Sequence, residues 1–149
     1  MNSLFKYLLI GFTSLMIIGL CLVPKTGYAT LDEAKRAASK IYYQLLSLGF
    51  NVRDSYSTGT LDDGESTTFS RTFYSGNDYA LVVCGCSYAR DIDVYIYDRY
   101  WNLIDKDTDT DQVAVATFTA WYTGTYYIKI RMYDATSDGC LLYTSDGCR

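Results

Sequence analysis

From Ser66 onward apolar and polar residues alternate with a period of two, and nothing else in the chain constrains its fold as much. Ile92, Val94 and Ile96 alternate with Asp93, Tyr95 and Tyr97, while Tyr126, Ile128, Ile130 and Met132 alternate with Tyr127, Lys129, Arg131 and Tyr133. Successive side chains of a strand point to opposite faces. Each run therefore has one greasy face and one polar or aromatic face, as in an antiparallel sheet with a solvated side. The pattern predicts strands at 66–74, 79–84, 92–98, 112–119 and 125–133, and a short one at 141–144. Asp62-Asp63-Gly64, Ser75-Gly76-Asn77-Asp78 and Thr123-Gly124 supply the turns between them. Short strands at this spacing predict a mostly β fold, an antiparallel sandwich or jelly roll, and not a parallel α/β sheet. No strong repeat and no linker marks a second domain, so residues 50–149 are expected to form one sandwich.

Before Gly49 the period is different. Leu31, Ala34, Ala38, Ile41, Leu45 and Leu48 recur at steps of three and four, which predicts one amphipathic helix over 30–49. Thr30 and Glu33 fit a capping box, Asp32 and Glu33 suit the positive helix N-terminus, and Gly49 suits a left-handed stop. Such a helix either packs on the domain body or is offered to a second copy or another partner. It is short for a coiled coil.

Residues 1–29 read as an address. A basic start containing Lys6 leads into an apolar run of about 16 residues, short of the roughly 20 that a spanning helix needs. Gly27-Tyr28-Ala29 places small residues at the −3 and −1 positions of a cleavage site, so cleavage is expected near Ala29, before Thr30. A retained anchor is the alternative, and Leu20 before Cys21 argues against a lipid-modified cysteine. The expected location is secreted, cell-surface or periplasmic, with a mature form that does not span the membrane.

The whole chain carries −4. Removing Lys6 and Lys25, the only charges in 1–29, leaves 11 bases against 17 acids, or −6. So acidic a domain has no general surface for neutralising phosphates, which excludes nucleic acid as the expected partner. In an oxidising compartment the even set Cys84, Cys86, Cys140 and Cys148 is expected to form disulfides. If Cys84 and Cys86 share one face of a strand, about 7 Å apart, both are expected to reach to the C-terminal pair. A Cys140–Cys148 hairpin clasp is the rival pairing, and a zinc site of four thiolates is a third reading.

The order of the strand motifs resembles a known family. Asp91-Ile92-Asp93-Val94-Tyr95-Ile96-Tyr97-Asp98 is followed by Asn102-Leu103-Ile104, then an Asp-rich link, then Ala116-Thr117-Phe118-Thr119 and Thr123-Gly124-Thr125-Tyr126-Tyr127-Ile128-Lys129-Ile130. Over residues 60–143 this resembles the bacterial pre-peptidase C-terminal domain, a secreted β-sandwich often appended to exported proteases. The resemblance implies a non-catalytic role, adhesion to a polymer or assistance to secretion, and some related collagen-binding sandwiches use calcium. Two features depart from the pattern. No peptidase stands beside the domain in these 149 residues, and Trp101 occupies the place of the usual Gly before Asn102. A bulky residue disfavours positive φ, so this turn is expected to differ or Asn102 to take that conformation.

Two residue sets suggest binding chemistry. Asp105, Asp107, Asp109 and Asp111 form a D-x-D-x-D-x-D ladder, which in an extended chain aims four carboxylates one way. Calcium, a hard ion taking six to eight oxygens, is the natural counter-ion, and Asp91 and Asp93 are a second candidate pair for it. The alternatives are a solvated charged loop and, for Asp93, a brace for a neighbouring turn. The second set is aromatic. Tyr95, Tyr97 and Tyr127, with Arg131 among them and Trp101 in the adjacent turn, form a candidate ligand face for an extracellular polysaccharide or protein. Alternatively the helix covers that face, or cross-strand Tyr pairs only stabilise the sheet. Trp121 is expected to plug the edge of the core.

Catalysis is not expected. The chain has no His, which removes Ser–His and Cys–His catalysis and His-ligated zinc or haem. Glycoside hydrolysis needs two carboxyls facing each other across a cleft, and Asp91 and Asp93 are neighbours on one strand. The function expected from the residues is thus a secreted binding or adhesion module. The alternative is a structural subunit that self-assembles through its helix or an edge strand.

Overall fold

A computed structural model describes residues 30–136 and 140–149, with side chains described except at 30, 53–55 and 140–146. The expected address at 1–29 and its cleavage site lie outside the described residues. Helix α1 spans Thr30–Ser47. Eight strands follow: β1 Asn51–Leu61, β2 Ser66–Phe73, β3 Asp78–Gly85, β4 Ala89–Tyr97, β5 Leu103–Asp107, β6 Val113–Thr119, β7 Gly124–Ala135 and β8 Cys140–Cys148. They form two antiparallel four-stranded sheets, one in the order β1-β8-β3-β6 and the other in the order β2-β7-β4-β5. This is the sandwich that the alternation predicts.

Burial follows the period-two pattern strand by strand. Ile92, Val94 and Ile96 of β4 and Tyr126, Ile128, Ile130 and Met132 of β7 meet Tyr79, Leu81 and Val83 of β3 and Ala114, Ala116 and Phe118 of β6 between the sheets. Phe73, Tyr79, Phe118 and Tyr126 pack edge-on and tilted at one end of this core. The phenol of Tyr126 is satisfied locally, since it donates to the Tyr122 carbonyl and accepts the Tyr122 N–H.

The helix lies on the outer face of the β1-β8-β3-β6 sheet. Ala34, Ala38 and Leu45 bury their stripe against Ala80, Val82 and Cys84, the β3 residues that point away from the inter-sheet core. The stop at Gly49 forms as expected: Gly49 has φ +86°, and the Phe50 N–H reaches back to the Leu45 carbonyl. Glu33 accepts the Ser87 N–H at 3.2 Å, a tertiary tie for the first helical turn, while the side chain of Thr30 in the expected capping box lies outside those described. Arg149 donates to the Leu48 carbonyl and closes the other end of the helix.

Two strands escape the sequence pattern, and both are sheet edges. β1 is Ser/Thr-rich, has little apolar alternation, and pairs only with β8. β5 is five residues long and occupies the expected Asp-rich link. Trp121, expected in the core edge, is instead 84% exposed. It sits beyond β6, where the chain has already left the sheet, and Ala120 takes the buried place beside it.

The cysteine expectation needs correction for Cys84 and Cys148, while the side chain of Cys140 lies outside those described. Cys84 and Cys86 do not share a face. Cys84 is a free, buried thiol in the helix-side layer, and Cys86 lies in the inter-sheet core. β3 ends at Gly85, so the chain turns before the alternation can return Cys86 to the side of Cys84. Cys148 is also a free thiol. It pairs in register with Tyr79, at the opposite end of β3 from Cys84, too far for a bridge. Cys86 is disulfide-bonded. Burial pushes the Cys84 thiol up to about 12, with the Asp111 charge adding to the effect.

Candidate functional site

The helix covers one sheet and leaves the outer face of the other open. On that open face β4 presents Tyr95 and Tyr97, and β7 presents Tyr127, Lys129, Arg131 and Tyr133. Register sets their neighbours: Tyr97 stands opposite Tyr127, Tyr95 opposite Lys129, and Asp93 opposite Arg131. The aromatic residues singled out from sequence are thereby brought together.

The β4–β5 turn supplies the centre of the array. Trp101 folds back over the Tyr97–Tyr127 pair, parallel to Tyr127 at 4.3 Å and 5°, and tilted against Tyr97 at 5.7 Å. Tyr95 continues the row, stacked beside Tyr97 at 6.5 Å. Trp101 still exposes 55% of its surface.

The turn itself corrects the sequence reading. It is neither rebuilt nor handed to Asn102, because Trp101 itself takes φ +65°. It is the sole described non-glycine residue with positive φ, in a region that bulky side chains seldom enter. The Asp98 carboxylate holds it there by accepting the Tyr100 N–H, the Asn102 N–H and the Asn102 side-chain amide, each at 2.8 Å. Partial burial works against the Asp98 charge. The hydrogen bonds from Asn102 and Tyr100, with Arg99 nearby, nevertheless hold its carboxyl below the usual range. Asp98 is a site residue that the sequence reading passed over. Its signal is the spacing Asp98 to Asn102, two polar residues bracketing a tight turn.

Asp93 and Tyr95 form a buried polar step beside the array. The Tyr95 hydroxyl donates to Asp93 Oδ2 at 2.9 Å. Burial raises the Tyr95 hydroxyl, and the bond to the Asp93 charge raises it further. Asp91 lies between two register shifts in β4 and is 7% exposed, with Oδ1 lacking any hydrogen-bond partner. Burial raises its carboxyl, as do the charges of Asp93 and Asp134, against a hydrogen bond from Thr110.

The acidic ladder does not present four carboxylates to one point. Asp105 and Asp107 lie on β5 and reach across to the other sheet, where Asp105 Oδ2 accepts the Thr117 N–H at 2.9 Å and Asp107 Oδ2 the Val115 N–H at 2.7 Å. Those donors belong to β6, an edge strand with no ladder partner on that side. Asp107 Oδ1 also accepts the Asp109 N–H, and Asp111 accepts the Gln112 N–H. The ladder thus closes the sandwich edge, a task invisible while β5 reads as a loop. Among the described residues no three Asp, Glu, His or Cys side chains converge as a metal site. No described helix is long and apolar enough to cross a membrane.

No protein-family model and no curated protein matches the chain. Among solved structures it is similar to the pre-peptidase C-terminal domain of a collagenase from Bacillus anthracis, with 16% identity over 61% of this chain and 85% of that one and a TM-score of 0.46. It is similar also to PliG of Aeromonas hydrophila, a periplasmic inhibitor of g-type lysozyme, with 11% identity, 64% and 85% coverage and a TM-score of 0.49. A third is the Yersinia pseudotuberculosis-derived mitogen, with 16% identity, 66% and 85% coverage and a TM-score of 0.46.

Proposed function

We propose that the chain is a secreted or cell-surface, non-catalytic binding module that recognises an extracellular polysaccharide through the face around Trp101. One observation carries this reading: a half-exposed indole, forced into left-handed backbone, lies flat on Tyr127 in the middle of a tyrosine row. Backbone conformation alone would favour glycine at that φ. Strained residues that persist are most often held for a function, and here the product of the strain is a flat apolar plate open to solvent. The apolar faces of sugar rings stack on such plates, while the hydroxyls of Tyr97 and Tyr127 lie within the same patch to hydrogen-bond them. Asp91 and Asp93 support no hydrolytic role. Both are buried, and Asp93 is occupied by Tyr95.

The test is a glycan array with the wild-type domain and Trp101→Ala, followed by titration with indole fluorescence in a Trp121→Phe background. Binding that Trp101→Ala abolishes is the expected result. Retention of all binding in Trp101→Ala removes the site.

Self-assembly is the second reading, and one observation favours an edge-strand route over the helix. The helix stripe is spent on its own sheet, whereas a groove of about 720 Å³ separates the free edges of β1 and β2. Light scattering on the purified domain decides it, since a monomer at micromolar concentration ends that reading.

A further inference from the structure

We infer that the polysaccharide bound at the Trp101 face is anionic, carrying carboxylate or sulfate groups; this rests on the reading of that face as a glycan site. The chain is acidic overall, with 17 acids against 13 bases, yet Lys106, Lys129 and Arg131 lie together on this face. Lys106 of β5 and Lys129 of β7 both stand opposite Tyr95 in register, one on each side of it. Their backbones are two strand spacings apart, roughly 10 Å. Arg131 follows Lys129 on the same face of β7, about 7 Å along the strand. The Lys129 ammonium lies 5.9 Å from the Tyr95 ring centre, and the Arg131 guanidinium 4.7 Å from that of Tyr133. Cations set against aromatic rings in this way stay at the surface of the platform.

The acids nearby are turned away or used up. Asp105 and Asp107, which alternate with Lys106 on β5, point to the opposite side and serve β6. Asp98 is committed to its own turn. Asp93 is the acid that shares the face, and it is 4% exposed with Tyr95 donating to it. Among the described residues Lys106, Lys129 and Arg131 have no salt-bridge partner. A platform with Lys106 and Lys129 unpaired beside its aromatic row, and Arg131 opposite the buried Asp93, offers a neutral glycan nothing for the two lysine charges. It offers an acidic glycan both stacking and charge complementarity. The domain as a whole repels a polyanion, so attraction must come from this patch and must weaken with salt.

The experiment pairs polymers that differ only in charge: polygalacturonate with its fully methyl-esterified form, and dextran sulfate with dextran. Binding is measured by calorimetry at low and at physiological salt. The wild-type domain is expected to prefer a charged member of one pair, with affinity falling as salt rises. Lys106→Ala/Lys129→Ala is expected to lose about tenfold for that polymer, each exposed charge pair contributing a few-fold. Equal or tighter binding of the neutral members, sensitive to Trp101→Ala, overturns the inference and keeps the glycan site. Binding to none of the polymers or array glycans, or binding only to a matrix protein such as collagen, overturns both. Preference for the charged polymer with Lys106→Ala/Lys129→Ala unchanged also overturns it, since the attraction would then lie elsewhere.

Discussion

Residue 101 gives a direct energetic check on the platform, because alanine and glycine there separate two effects. Trp101 covers about half of its surface. Truncation removes roughly 100 Å² of apolar burial, the contact with the Tyr127 ring included, worth about 2–3 kcal/mol. Alanine loses that contact and still has to hold φ near +65°, where a Cβ costs about 1 kcal/mol. Glycine loses the same contact and is released from the strain. Trp101→Ala is therefore expected to destabilise the domain by about 2–3 kcal/mol, and Trp101→Gly by about 1 kcal/mol less. Urea denaturation of the wild type and both variants, followed by far-ultraviolet circular dichroism, measures the difference. The usual order of the two residues, with alanine the more stable, would mean that residue 101 is not left-handed. The Trp101 turn would then hold no strain for a binding function to explain. Glycine more stable than alanine, with glycan binding absent in both, is the result that links the turn to the site.

The remaining predictions concern the buried and edge carboxylates. Asp91→Asn is expected to stabilise the domain at pH 7 by about 1 kcal/mol, because it removes a buried charge with an orphaned oxygen beside Asp93 and Asp134. The Asp91 carboxyl is raised in the fold, so the native state holds its proton longer than the unfolded chain does. Its penalty grows as pH rises from the ordinary carboxylate value through the raised one, and it vanishes in acid. The gain from Asp91→Asn should accordingly shrink between pH 7 and pH 4, and chemical denaturation that finds it constant or reversed refutes the assignment. Asp107→Ala is expected to cost about 1–2 kcal/mol by stripping the Val115 N–H of a charged acceptor. Calcium and chelator should leave the wild-type melting temperature where it is, and an upward shift with calcium that Asp107→Ala removes would make the ladder a metal site after all.

How much was legible in the sequence depends on whether a residue's task is set locally. The alternation in β4 and β7 determined the sandwich, the outward tyrosines and the buried Ile–Val rows, because strand geometry sends every second side chain to the same face. The helix and its Gly49 stop were equally local, fixed by a 3.6-residue stripe and one left-handed residue. The edge strands were not legible. β1 and β5 face water along one side, need little apolar patterning, and derive their strand character from partners distant in sequence. With β5 read as a link, Lys106 could not be placed beside Tyr95, and the acidic ladder looked like a metal loop when two of its carboxylates close β6.

Other outcomes needed the tertiary structure altogether. Period two gives a strand two faces but does not say which face a helix will cover, and packing against Ala80, Val82 and Cys84 decided that the tyrosine face stays open. A strand's end is set by where its neighbours stop pairing, and so Cys84 and Cys86 part company at Gly85. The conformation of Trp101 is the plainest case. Intrinsic preference argues against a left-handed tryptophan, and only the Asp98 hydrogen bonds and the Tyr127 ring, both supplied by the folded turn and sheet, hold it there.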